Sequence, residues 1–188
     1  MAARTPEEEL PEQFRIAVES VRESTTRPEV VLAEAPAPLR LAPYALAMTG
    51  EVVDAEDVEL ASGRLVVLHD PEGHDTWQGA FRLVTFVRAA LEPEIAMDPF
   101  LPGVGWQWLL ESLERSDAAH VAASGTVTRV VSESFGTMDE EGGSSGVEIR
   151  ASWTPVDAEL GRHVTAWCEL LCAAAGLPPR SFSDGSPA

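Results

Sequence analysis

The spacing of apolar residues along the chain predicts an alternation of helices and strands. Leu10, Phe14, Ala17, Val18 and Val21 recur at helical intervals behind Pro6 and three acids, so residues 6–24 are expected as an amphipathic helix that Thr25-Thr26-Arg27-Pro28 ends. A short apolar strand at 29–34 follows. The stretch Ala35-Pro36-Ala37-Pro38 cannot sit inside a sheet and is an edge or a connection. Residues 44–53 read as a strand, and 58–60 and 64–69 flank Ala61-Ser62-Gly63, which reads as a tight turn between two strands. Between Gly79 and Leu91, Phe81, Leu83, Thr85, Val87 and Ala89 fall on one face and Arg82, Val84, Phe86 and Arg88 on the other. Apolar residues on both sides of its middle predict a central strand.

Residues 93–105, punctuated by Pro93, Pro99, Pro102, Gly103 and Gly105, are expected to be irregular. They lead into a helix over 104–115 with Trp106, Leu109, Leu110 and Leu113 as its apolar stripe. The segments 120–135 and 146–153 alternate cleanly and predict a hairpin, joined by an acidic Gly/Ser-rich connection expected to be mobile. Pro155 is expected in the first turn of a final helix that buries Leu160, Val164, Trp167, Cys168, Leu171 and Cys172, and that Gly176 and Pro178 stop. The elements add up to an α+β fold, an antiparallel sheet of about five to six strands flanked by three helices. One domain is expected over 9–176, between a disordered N-terminus, 1–8, and a disordered tail, 177–188. The order strand, strand, helix occurs twice, with Ser62-Gly63 echoed by Ser124-Gly125 and Trp108-Leu109-Leu110 by Trp167 to Leu171. This leaves room for a tandem ββα repeat with both Trp-bearing helices on one sheet face. The same element order occurs in secretion-chaperone-like folds, an analogy of fold alone.

Charge narrows the functions available. Thirteen Arg and no Lys stand against 31 Asp and Glu, a net charge of −18. Such a field repels phosphate backbones and anionic membranes, so no direct nucleic-acid or membrane partner is expected, and it favours encounter with a basic protein. Without lysine, Schiff-base chemistry and a Walker-type phosphate loop are excluded. Arg as the sole cation, with abundant Ala, Val, Pro and Gly, suggests a GC-rich bacterial genome. The N-terminal residues lack the apolar core of a signal peptide and no apolar run reaches membrane-spanning length, so a cytoplasmic location is expected. Cys168 and Cys172 share one helix face as small apolar residues and lack the ligand set of a zinc site.

Candidate chemistry is sparse. His69-Asp70-Pro71-Glu72-Gly73-His74-Asp75 concentrates two His and three acids, but matches no ligand spacing and reads as a solvated turn. No nucleophile elbow, zinc-protease helix or dinucleotide fingerprint occurs, so no catalytic residue, metal or cofactor is assigned, and whether the chain is an enzyme stays open, with a non-catalytic role favoured. The most unusual segment runs from Asp98 through Phe100 and Leu101 to Trp106 and Trp108. Residues two apart on a helix face different ways, so one Trp should be core and the other nearer the surface. Asp98, Phe100, Leu101, Trp106 and Trp108 are therefore the candidate partner-binding residues, and packing of both rings as a satellite core is the competing expectation. Asp98 also suits a turn, its carboxylate tying down loop amides. Arg64, Arg82, Arg88, Arg129 and Arg150 all fall in strand segments, where pairing with strand acids is their usual role. Arg82 and Arg129 are the candidates for an anion site should several converge, and Arg129 falls on the apolar face of its strand beside Val127 and Val131.

The motifs Asp98-Pro99-x-Leu101-Pro102, Gly105-Trp106-x-Trp108-Leu109 and Ser152-Trp153-Thr154-Pro155 carry a family resemblance. With them the chain resembles, over nearly its whole length, an actinobacterial family of short acidic proteins classified as a domain of unknown function. The family brings no activity or catalytic residue. Its genes often neighbour one for a ribonuclease D-like exonuclease, which implies that enzyme as a partner and a link to RNA processing. The function expected is thus a non-catalytic acidic protein-interaction module or adaptor. The alternative is a small anionic-ligand-binding protein or enzyme with a pocket between sheet and helices.

Overall fold

The computed structural model describes residues 10–38, 40–137 and 142–180. Helix α1 (Glu12–Arg22) precedes four strands, β1 (Val30–Ala35), β2 (Tyr44–Val53), β3 (Glu59–His74) and β4 (Gly79–Ala90). The one-turn helix α2 (Pro93–Ala96) leads to α3 (Leu101–Arg115), then β5 (His120–Ser132), β6 (Ser144–Pro155) and α4 (Gly161–Ala174). All six strands form one antiparallel sheet in the order β1-β2-β3-β4-β6-β5. The α+β architecture is therefore as expected, with three long helices and the short α2 in addition. Residues 1–8, the acidic tract at 139–141 and the tail from 181 lie outside the described residues. The start of the tail, 177–180, is tied down: Arg27 Nη1 donates to the Pro178 carbonyl at 2.8 Å and Arg180 Nη2 to that of Thr26 at 3.0 Å.

Strand alternation sends Val52, Leu65, Leu83, Val87, Ile149 and Trp153 to one face, where α1, α3 and α4 cover them. Helix α4 is the centre of this layer. Its Val164, Ala166, Trp167, Leu170, Leu171 and Cys172 are all fully buried, because it packs against α1 and α3 as well as the sheet. Contact this close requires glycine underneath. A Cβ on Gly50 of β2 would stand 2.8 Å from Leu171 Cδ1 and 2.9 Å from the Trp167 ring; one on Gly63 of β3 would stand 3.0 Å from Leu171 and 2.8 Å from the Phe86 carbonyl. Helix α3 repeats the device at the other end, where Gly125 of β5 lies under the Trp106 ring and Gly105 faces Val127. The connectivity β3-β4-α3 and β5-β6-α4 is thus mirrored in space. Each helix rests on a glycine of the other hairpin, both helices on one face.

Three elements differ from the sequence reading. Ala61-Ser62-Gly63 is no turn but lies inside the sixteen-residue β3, which explains a glycine that reads like a turn: it marks a helix approach. The β3–β4 turn comes later, where Trp77 and Gln78 amides bond the His74 carbonyl at 3.0 Å. Helix α3 starts at Leu101, with Pro102 in its first turn where a missing N–H costs nothing. Pro155 ends β6 instead of opening α4, which begins at Gly161.

The core holds several polar groups, each accounted for differently. Arg27, buried beside α4, pairs with Glu29 at 2.9 Å and Glu169 at 3.4 Å; the Glu29 bond holds the guanidinium pKa above its usual value and that of the Glu29 carboxyl below its own. Burial pushes the Cys168 thiol up to about 12 and Cys172 up to about 11, so both behave as small apolar residues. His163 accepts the Trp153 indole N–H on Nδ1 at 3.0 Å, which requires that nitrogen to be unprotonated. Burial lowers its pKa from 6.5 to about 4.

Gly63→Ala and Gly125→Ala should each lower stability by about 1–3 kcal/mol in urea unfolding, since backbone carbonyls stand in the way of the new methyl. Acid should act through His163: above its unfolded pKa of 6.5 the histidine is neutral in both states and costs nothing, while between 6.5 and about 4 only the unfolded chain takes the proton. Stability contributed by this site should therefore fall by on the order of 3 kcal/mol across that window and level off below it. Urea midpoints measured against pH check this, with His163→Asn flattening that part of the slope.

Candidate functional site on the uncovered sheet face

Among the described residues no helix covers the central strands on the face opposite α1, α3 and α4. Register brings its side chains into rows. Thr49, Arg64, Phe86, Arg150 and Thr126 stand side by side across β2, β3, β4, β6 and β5. The neighbouring row holds Ala47, Val66, Val84, Ser152 and Ser124. The β3, β4, β6 and β5 members of these two rows line an open concavity of about 770 Å³. Phe86 is its apolar centre, with the Arg150 guanidinium 4.8 Å above the ring centroid.

Two of the strand arginines meet acids as expected on a solvent face: Arg150 pairs with Glu148 at 2.9 Å and Arg88 with Glu59 at 3.5 Å. Arg64 and Arg82 do not. Arg64 donates to the Pro36 carbonyl, in the connection after β1. Arg82 is only 9% exposed, and its four bonds go to neutral oxygens: the Ala122 carbonyl at 2.9 Å, Thr154 Oγ1 at 3.1 Å, Ser124 Oγ at 3.2 Å and Ser152 Oγ at 2.7 Å. Ala122 supplies its carbonyl from a bulge in β5 where φ is +52°. Among the described residues no carboxylate balances Arg82, and burial lowers its pKa. Ser124 and Ser152 accept from this cation and stand 3.5 Å from each other, so one hydroxyl donates to the other and the second keeps its proton for the concavity they line.

The candidate residues named from sequence are dispersed. Asp98 Oδ1 accepts the Phe100 amide at 2.8 Å, so its carboxylate ties the turn before α3. Phe100 is 76% exposed, whereas its neighbour Leu101 is 4% exposed and belongs to the core. Trp106 and Trp108 are both half-buried against the core, Trp106 over Gly125. Arg82 and Arg129 cannot share an anion, because they lie on opposite faces of the sheet. Arg129 pairs in register with Val147 on the helix side and donates to the Met97 carbonyl at 3.0 Å. Trp153, Trp167 and Leu171 fill the middle of the space between sheet and helices, and a smaller concavity of about 300 Å³ remains at its edge, where Val18 and Val21 of α1 meet Leu32, Leu46 and Met48 of β1 and β2.

The histidine and acid cluster also comes apart. His69 is in the core, stacked on Phe81 at 4.2 Å and Phe14 at 5.8 Å with Nδ1 3.1 Å from the Ala80 carbonyl, and burial lowers its pKa. His74 stacks on Trp77 at the hairpin end. Among the described residues no group of three His, Cys, Asp or Glu converges as a metal ion would need, and no helix is long and apolar enough to cross a membrane. The central row Arg64–Phe86–Arg150 escaped sequence reading. The alternation of Arg82, Val84, Phe86 and Arg88 was visible, but not the register that aligns Phe86 with an arginine on either side.

Fold and site together define an α+β protein with a one-sided helix layer and an exposed, arginine-bearing sheet face. The chain matches the family described as Protein of unknown function (DUF3000) over residues 10–183, and it belongs to that family. No curated protein and no solved structure matches it.

The contrast at the start of α3 is measurable. Phe100→Ser should leave thermal stability within about 0.5 kcal/mol of wild type, as for an exposed side chain, while Leu101→Ala should cost about 2–4 kcal/mol.

Proposed function

We propose that the protein is a non-catalytic cytoplasmic interaction module that docks a partner protein on its uncovered sheet face. The observation that carries this reading is the row Arg64–Phe86–Arg150, in which cationic groups flank an aromatic ring on a concave surface of a chain carrying −18. Aromatic and arginine side chains dominate the energetics of protein contacts, and an arginine fork suits a carboxylate. The net acidity acts at longer range, speeding encounter with a partner whose overall charge is positive. A ribonuclease D-like exonuclease is a candidate partner to mix with the protein directly.

A second reading rests on Arg82. A buried guanidinium that meets no carboxylate among the described residues, polarising Ser124 and Ser152, favours a small anionic ligand in the same concavity.

The two readings separate by experiment. A partner captured from the native organism's lysate by the wild-type chain should be lost with Arg64→Gln/Arg150→Gln and with Val84→Asp, and should be retained with Phe100→Ser. Capture that ignores the sheet-face changes overturns the docking reading. A metabolite that raises the melting temperature of the wild type in proportion to its concentration, and not that of Arg150→Gln, favours the small-ligand reading.

A further inference from the structure

The two outer edges of the sheet are built differently. Strand β1 is six residues long, contains Glu34, and runs into Pro36 and Pro38; these features blunt an edge against further pairing. Strand β5, at the other end, is thirteen residues long and among the described residues pairs only with β6. From His120 to Ser132 it contains no Pro and no acid, in a chain where 31 of 188 residues are acidic. Its one charged cation, Arg129, is turned onto the Met97 carbonyl at 3.0 Å. The bulge near Ala122 leaves the pairing regular from Ser124 to Ser132. Thr126 to Val131 is rich in β-branched residues, as a paired strand prefers.

Beside this edge the protein exposes large apolar side chains. Val131 on β5, Ile95 and Met97 at α2, and Phe100 and Val104 at the start of α3 are all exposed. Both helices pack beside β5, and the Arg129 bond fixes α2 against it.

We infer that β5 is the pairing edge of a homodimer, in which two copies join β5 to β5 antiparallel into one continuous sheet. The charge pattern selects a second copy over a foreign chain. At a two-fold contact every side chain must tolerate its own symmetry mate, and a chain of −18 meets that condition only where acids are missing. An acid-free edge offers a basic partner no attraction in return. A two-fold axis perpendicular to the sheet also keeps both helix layers on one side. The exposed apolar residues of α2 and α3 then lie beside the junction, and the two uncovered faces point the same way. This inference stands independently of the docking proposed above.

Sedimentation equilibrium of the full chain tests it. At about 100 µM protein the wild type should sediment at twice its 20.2 kDa mass. Thr128→Lys/Val131→Lys places like charges along the edge and should shift the chain to monomer, with an unchanged circular dichroism spectrum. Thr128 faces Glu148 on β6, so a lysine there does not oppose the fold. Phe100→Ser should weaken the dimer without abolishing it. A wild type that sediments as a monomer overturns the inference, and so does a dimer whose dissociation constant is unchanged in the double lysine variant.

Discussion

Everything else in this fold depends on helices lying directly on sheet backbone. Gly50 and Gly63 admit Leu171 and Trp167 of α4; Gly125 admits Trp106 of α3. Side chains at those points would lift the helices by the thickness of a methyl group and open voids beside rings that now fill the interior, a costly exchange in a close-packed core. The same contacts set the layer on one side only. With α1, α3 and α4 all committed to the apolar face, no long helix among the described residues remains for the other, whose central strands present their own side chains.

That second face is stabilised by polar means. Arg82 brings together β4, β5 and β6 through four hydrogen bonds, and its bonds to Ser124, Ser152 and Thr154 span the strand junction where the two hairpins meet. A charged group with this many neutral acceptors is well placed, yet its charge is still partly desolvated. Arg27 contrasts with it. Also buried, it has two carboxylates and closes the end of the helix layer against the chain after α4. One arginine serves the core with its charge balanced, and the other leaves a charge beside an open surface.

Much of the architecture was legible in the sequence because it rests on period alone. The alternation around Phe81 to Ala89 identified a central strand, and the apolar face of residues 160–172 identified the most buried helix. Where side chains report the environment of a neighbouring element, period fails. Gly63 reads as a turn until α4 is laid over it, and Pro102-Gly103 reads as irregular chain until it is placed in a first helical turn. The site was least legible. Parity correctly set Arg129 on its strand's apolar face, but only register reveals that Arg82 lies on the other side and that Phe86 stands between Arg64 and Arg150. Trp106 and Trp108 were candidates by residue type, and the glycine beneath Trp106 draws that ring into the packing.

The position of α4 in the chain governs how the protein is made. It is the last of the described helices, yet it supplies the cover for β2, β3 and β4, and β6 must first be inserted between β4 and β5. A ribosome therefore releases most of the sheet with its apolar face bare, and the nascent chain stays unsealed until residues 161–174 leave the exit tunnel. Long-range pairing of this kind delays closure. The interval between the first hairpin and the final helix is when the polypeptide is most exposed to misassociation.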